Sequence, residues 1–264
     1  MVSTFRTLIV GVMVAIPTCA LAQQFNGLHT ASRVFNNFPS STLVITNSNT
    51  IPGSATISDS LFGPGNGANR DDILLSEDNG TTAATLGIDQ AFTISTTFTL
   101  TDGANSPRKE AGIRIISPSQ GDTQFIVDSD AQEIVAFGGG APFHEFGVGA
   151  TGYIPGTPIT LSLTYTPASG GTSGANPGSL TYAVDYPTLG LSNSFTDIYT
   201  NLEGGPMGYQ VGVYAQTDGV AGPSDFLNAN FAISASLPEP ASLASLGTLS
   251  ASLLLRRRRE SGGN

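Results

Sequence analysis

The sequence predicts an all-β fold, a single antiparallel β-sandwich, on three observations. Apolar and polar residues alternate in short runs, the period of a strand with one buried face. Clusters of turn-forming residues separate the runs: the 264 residues include 32 glycines and 16 prolines, and only 11% are charged. Between the two ends of the chain, no long stretch carries apolar residues at helical spacing. Alternating runs between turn clusters mark sheets rather than helices.

Residues 24–41 read as irregular, with Phe25, Phe35 and Phe38 as core contacts. Residues 43–46 and 55–58 read as early strands. Residues 66–72, rich in Gly and Asn and ending in Arg70-Asp71-Asp72, read as a loop. Residues 92–100 give the cleanest strand, with Phe92, Ile94, Phe98 and Leu100 on one face and polar residues on the other. Burying such side chains is worth about 1.5–3 kcal/mol each. Residues 111–116 follow as a strand. Residues 123–127 and 133–137 flank a turn at Asp128-Ser129-Asp130-Ala131-Gln132 and are expected to pair as a hairpin ended by Gly138-Gly139-Gly140. Ile159, Leu161, Leu163 and Tyr165 alternate in the next strand, and a Gly/Ser-rich loop over 167–178 leads to another at 180–186. Strands at 209–216 and 228–233 complete about ten in all. No repeat of fixed period appears, which argues against a propeller or solenoid.

The ends of the chain carry separate signals. Residues 1–6 hold one arginine, residues 8–16 are apolar, and Ala20-Leu21-Ala22 offers small residues two apart before Gln23. These are the parts of a secretory signal peptide, with cleavage expected after Ala22. At the other end, Leu237 precedes Pro238-Glu239-Pro240, residues 241–255 are small and apolar, and Arg256, Arg257, Arg258 and Arg259 follow before a polar tail over 260–264. The prolines stop any helix from running through 238–240. Residues 241–255 can form an apolar helix, about 22 Å long at 1.5 Å per residue. That is shorter than the roughly 30 Å bilayer core. Four arginines hold their end on the cytoplasmic side.

This order over 237–259 resembles the PEP-CTERM sorting signal recognised by exosortases. The resemblance implies an exported chain held transiently in the inner membrane through 241–255. Exosortase, a transpeptidase-like partner, would then cut near Pro238, Glu239 and Pro240 and deliver the body to the cell surface or the extracellular matrix. The expected organisation is a signal peptide over 1–22, a body over 23–236 and a sorting signal over 237–259. The stretch from Gly208 through Tyr214-Ala215-Gln216 to Ser224-Asp225-Phe226 and Phe231-Ala232-Ile233 resembles the end of a concanavalin A-like lectin/glucanase domain. That resemblance implies a jelly roll of two large antiparallel sheets. An immunoglobulin-like sandwich and another kind of jelly roll remain as alternatives.

Composition narrows the chemistry. The one cysteine, Cys19, lies before the expected cleavage site, so the body has no disulfide. The body holds eighteen acidic and five basic residues, a net charge of −13. That lacks the basic footprint of a nucleic-acid binder. Asp128, Asp130 and Glu133 invite a glycoside hydrolase reading, since retaining hydrolysis uses two carboxyls about 5–5.5 Å apart. Turn chemistry also explains acidic residues there, and the chain has no tryptophan. His144-Glu145 is a weak metal pair and His29 stands far from it in sequence. No cofactor is expected. Asp71, Asp72, Asp128, Asp130 and Asp225 leave a structural calcium open, because calcium takes six to eight oxygen ligands. Tyr153, Tyr165, Tyr182, Tyr186, Tyr199, Tyr209 and Tyr214 offer faces for sugar stacking, although Tyr182 and Tyr186 share a strand face with Val184 and read better as core. The function that follows is a non-catalytic carbohydrate-binding or structural module of an exopolysaccharide or biofilm matrix. A glycan-active enzyme and a ligand-free structural protein are the alternatives.

Overall fold

The computed structural model describes residues 24–63, 65–118, 121–139, 141–167, 178–199 and 208–238. Two seven-stranded sheets account for the fourteen strands found there. The first runs in the order β1 (Gly27–Asn36), β4 (Gly67–Ser76), β13 (Gln210–Gly219), β6 (Lys109–Ile116), β7 (Thr123–Asp128), β8 (Ile134–Gly138) and β9 (Ala141–Gly147). The second runs in the order β12 (Leu191–Tyr199), β11 (Gly178–Tyr186), β10 (Ile159–Thr166), β5 (Phe92–Asp102), β14 (Phe226–Ser236), β3 (Gly53–Ser60) and β2 (Thr42–Asn47). Neighbouring strands are antiparallel throughout both sheets. The fold is therefore the expected antiparallel β-sandwich of jelly-roll type.

The second sheet follows the alternation closely. Phe92, Ile94, Phe98 and Leu100 of β5 point inward and are buried, as are Ile159, Leu161, Leu163 and Tyr165 of β10. Against them pack Ile73 and Leu75 of β4, Ile113 and Ile115 of β6, Phe125 of β7 and Val211 and Val213 of β13. Removing one of the aromatic side chains, Phe98 for example, would cost about 3–5 kcal/mol through lost transfer energy and the cavity left behind.

Four elements depart from expectation. Residues 24–41 are not irregular: β1 occupies most of that span, and a bulge between Ala31 and Phe35 breaks its pairing with β4. Phe25 and Phe38 are buried as expected, whereas Phe35 is exposed. Residues 66–72 are not a loop, because β4 begins at Gly67 and Asn69, Arg70, Asp71 and Asp72 are all buried within it. Strands β9 and β12 had no counterpart in the reading of the sequence. Both lie at sheet edges, where less of each residue needs to be apolar. The expected hairpin is present as β7 and β8.

The expected signal helix, the cleavage-site residues Ala20 and Ala22, Glu239, Pro240, the apolar segment over 241–255 and the four terminal arginines lie outside the described residues. Pro238 is the last described residue and is exposed. Among the described residues no helix is long and apolar enough to cross a membrane.

Candidate functional site

The outer face of the first sheet concentrates the charged side chains. In β4 the odd-numbered residues Ile73 and Leu75 enter the core, so Arg70 and Asp72 face outward. The same alternation sends Tyr214 and Gln216 of β13, Glu110 and Arg114 of β6, and Gln124, Ile126 and Asp128 of β7 to the outer face. Register sets these residues in rows. One row runs Arg70, Gln216, Glu110, Asp128, and the next runs Asp72, Tyr214, Gly112, Ile126, Val135. A third runs Leu74, Gly212, Arg114, Gln124, Phe137.

Gly112 and Gly212 clear paths across this floor. Arg114 lies on β6 and its partner Asp72 on β4, so the guanidinium must cross β13, at the level of Gly212. Tyr214 lies on β13 and reaches Gln124 on β7, so its ring must cross β6 at the level of Gly112. A Cβ at Gly212 would run into the Ile73 carbonyl oxygen, and one at Gly112 into that of Phe125.

The charges are joined in one network. Arg114 donates through Nη1 to Asp72 and through Nη2 to Asp122. Arg70 donates through Nη1 to the same Asp122 oxygen at 3.4 Å and through Nε to Gln216. The Arg70 guanidinium also lies 4.6 Å from the Phe35 ring centre and 5.1 Å from that of Tyr214, a cation–π arrangement. The Tyr214 hydroxyl bonds to Glu110 Oε1 at 3.0 Å and to Gln124 Oε1 at 2.9 Å. Burial, with the negative Glu110 beside it, pushes the Tyr214 hydroxyl well above its ordinary value, so it stays protonated. Burial likewise raises Asp72 to about 6, against the pull of Arg114 and Arg70.

The turn after β7 closes one end of this floor. Asp128 accepts from the Ala131 and Glu133 amides at 3.1 and 3.2 Å, which is the turn chemistry expected there. Arg108 binds Glu110 at 3.0 Å and Asp128 at 3.1 Å, and stands 3.9 Å from Asp130 and 3.8 Å from Glu133. Burial and the neighbouring Glu133 raise Asp128 to about 7 although Arg108 opposes them. A raised carboxyl is the usual property of a general acid. Asp128 has no exposed surface, however, and within the pair Glu133 is the residue that meets solvent. Phe35 at one edge, 44% exposed, and Phe143 on β9 at the other, 62% exposed, flank the floor with aromatic surface.

Other expected site residues are placed differently. The carboxylates considered for calcium are held by the protein's own donors. Asp71 accepts from the Arg33 amide at 2.7 Å, Asp72 pairs with Arg114, Asp128 with Arg108, and Asp225 with Lys109 at 3.2 Å. Among the described residues no three acidic, histidine or cysteine side chains are grouped to hold a metal ion. His144 and Glu145 point to opposite sides of β9. His144 stacks on Phe195 of β12 at 3.8 Å, which ties the edges of the two sheets together. His29 bonds to the Gly80 carbonyl at 3.0 Å, at the far edge of the first sheet.

Tyr153, Tyr165, Tyr182, Tyr186, Tyr209 and Tyr214 are buried and cannot stack on a sugar at the surface. Several place the hydroxyl on a backbone partner, as Tyr165 does on the Ile88 carbonyl at 2.7 Å and Tyr209 on that of Gln90 at 2.6 Å. The side chain of Tyr199 lies outside the described residues. The residues that build the floor, Arg70, Arg114, Gln124 and Gln216, were not singled out from the sequence as a site. Arg114 stood out in sequence only as a single polar residue inside an apolar run, and Arg70, Gln124 and Gln216 lie beside other polar residues, so no local pattern marked them.

In sequence, no family model and no curated protein matches this chain. Among solved structures it is similar to the basic winged bean lectin with Tn-antigen, at 13% identity and a TM-score of 0.43, covering 81% of this chain and 98% of that one. It is similar to Lectin I from Ulex europaeus in complex with the methyl glycoside of α-L-fucose, at 14% identity and a TM-score of 0.43, over 81% of this chain and 96% of that one. It is also similar to an alginate lyase from Corynebacterium sp., at 12% identity and a TM-score of 0.44, over 70% and 77%. At such identities and scores the likeness assigns no residue and no ligand to this chain.

Proposed function

We propose that this chain is an exported polysaccharide-binding protein of the cell surface or extracellular matrix, and that a glycan lies along the outer face of its first sheet. The observation that carries the reading is the floor itself. Half-buried Gln124 is its accessible polar side chain, the buried network of Tyr214, Gln216, Arg70 and Arg114 across four strands fixes the face beneath it, and the exposed rings of Phe35 and Phe143 stand at its two sides. Sugar recognition needs that combination, a fixed array of hydrogen-bonding groups beside apolar ring faces. The pairing of Arg with Asp holds the array in place, and the binding role needs no chemical step.

Affinity electrophoresis of the secreted protein in gels cast with neutral and uronate-bearing polysaccharides tests this. Retardation is expected in at least one gel, with a loss of about tenfold in affinity in Phe35→Ala and in Gln124→Ala. Binding that survives both changes would refute the placement. New reducing ends or unsaturated products that disappear in Glu133→Gln would turn the reading to an enzyme.

The sorting part of the proposal rests on the two ends of the sequence. The signal peptide over 1–22 takes the chain across the inner membrane. Exosortase acts at Pro238, Glu239 and Pro240 while 241–255 and Arg256 to Arg259 hold the chain in place. Terminal mass spectrometry of the protein from its own cells is expected to show Gln23 as the first residue and no peptide beyond 240. Extracellular protein that retains the four arginines would refute it.

A further inference from the structure

The body meets the sorting signal without a linker. β14 pairs with β3 only as far as Ile233 opposite Gly53, but with β5 as far as Ser236 opposite Thr93. The cause is local. Antiparallel register would set Pro52 opposite Ser234, and proline has no N–H to extend the ladder. Residues 234–236 are therefore laddered on one side only, and among the described residues no strand covers the other. That open edge borders a cavity of 280 Å³ lined by Phe25, Ile51, Pro52 and residues 234–237. Leu237 packs against the main core, and Pro238 directly after it is exposed. Gln24 lines the same cavity, so both ends of the body emerge at one lip.

We infer that this lip is the surface that docks the enzyme cutting at Pro238, Glu239 and Pro240, with an extended segment of that enzyme added as a strand along residues 234–236. The inference rests on the sorting reading above and adds to it the part of the body that is recognised. An enzyme that grips an extended substrate across 238–240 must also cover the residues just before it, and here those residues belong to the folded sandwich. An exposed strand edge offers unpaired backbone donors and acceptors to an incoming strand. The half-buried Ile51 and Leu237 beside it supply apolar contact. Docking at the lip also explains how a motif with no spacer is cut: the body is part of what the enzyme holds.

The test follows tail removal in exosortase-bearing cells producing the full chain. The wild type, Glu239→Ala, a six-residue Gly/Ser insertion between Leu237 and Pro238, and Ile51→Asp are compared. The wild type is expected to be cut and Glu239→Ala to remain whole. The insertion moves the motif away from the lip and leaves the body unchanged; it is expected to slow cutting at least tenfold, and Ile51→Asp to slow it about as much. A body that merely obstructs the enzyme predicts the opposite sign, faster cutting after the insertion. Unchanged or faster cutting of the insertion variant overturns the docking surface while leaving the sorting reading intact. A wild-type chain that is never cut overturns both. If Ile51→Asp fails to fold, as its urea unfolding curve would show, the insertion alone decides.

Discussion

The two sheets have equal strand numbers and the same antiparallel pairing, but their outer faces differ in chemistry. The outer face of the second sheet is a field of hydroxyls. Thr93 pairs with Thr164 at 3.0 Å, Ser95 with Ser162 at 2.7 Å, Thr97 with Thr160 at 2.7 Å and Thr181 with Thr196 at 2.9 Å. Each pair sits directly opposite in register, so short side chains suffice and each contact is local. The outer face of the first sheet is bound by long side chains that reach across whole strands, Arg114 over β13 and Tyr214 over β6. A local pair contributes little and fails alone. A network of buried charges holds or fails together, because a removed partner leaves an unpaired charge away from water.

The largest test of this contrast is Arg114→Ala. It strands Asp72 and removes one of two donors to Asp122, and is expected to cost about 3–5 kcal/mol in urea unfolding. A loss below about 1 kcal/mol would mean that the network is no more cooperative than the hydroxyl face. Gly212→Ala should follow. Its Cβ pushes β4 from β13 and blocks the path of Arg114, for a loss of about 1–3 kcal/mol from overpacking alone, read in the same assay.

Dependence on pH sharpens the comparison further. Asp71 and Asp72 are raised to about 6 and Asp128 to about 7, each chiefly by burial, and all three lie on the first sheet. A carboxyl raised in the folded state binds its proton more tightly there than in the unfolded chain. Its contribution to stability is complete below the ordinary carboxylate range, near 4, and is lost as pH rises through 6 to 7. These groups therefore make the chain less stable at pH 8 than at pH 5. Asp128→Asn should flatten the upper part of that decline, and a slope unchanged by the substitution would exclude Asp128 as a source. The smallest effect is expected on the second sheet. Ser95→Ala together with Ser162→Ala should shift stability by no more than about 1 kcal/mol, and polysaccharide binding should be unchanged.

The contrast also explains which sheet could be read from the sequence. In β5 and β10 the outer residues are small and polar and the inner ones large and apolar, so the alternation is plain. In β4, Asn69, Arg70, Asp71 and Asp72 are consecutive polar residues after a Gly-rich stretch, which locally is the pattern of a loop. They form a strand inside a sheet because partners distant in the chain neutralise them: Arg114 for Asp72, Gln216 and Asp122 for Arg70, and the Arg33 amide for Asp71. No window of sequence contains those partners. The tyrosines teach the same from the other side. Their rings suggested sugar platforms, but carbonyls of Ile88 and Gln90 receive the hydroxyls of Tyr165 and Tyr209 inside the fold.

By itself the sequence determined the sandwich class, the inward residues of the second sheet, the turn that Asp128 organises, and the order of proline, apolar and arginine segments at the C-terminal end. All of these depend on spacing along the chain, which local sterics and the burial of alternate residues convert directly into structure. Tertiary structure alone decided that β4 is a strand, that Asp72, Asp128 and Asp225 pair with Arg114, Arg108 and Lys109, that His144 locks two sheet edges by stacking on Phe195, and that Leu237 packs against the core. Each of these depends on a partner brought close by the fold, and the energy of a charge or a ring contact is fixed by that distance and by the water excluded around it.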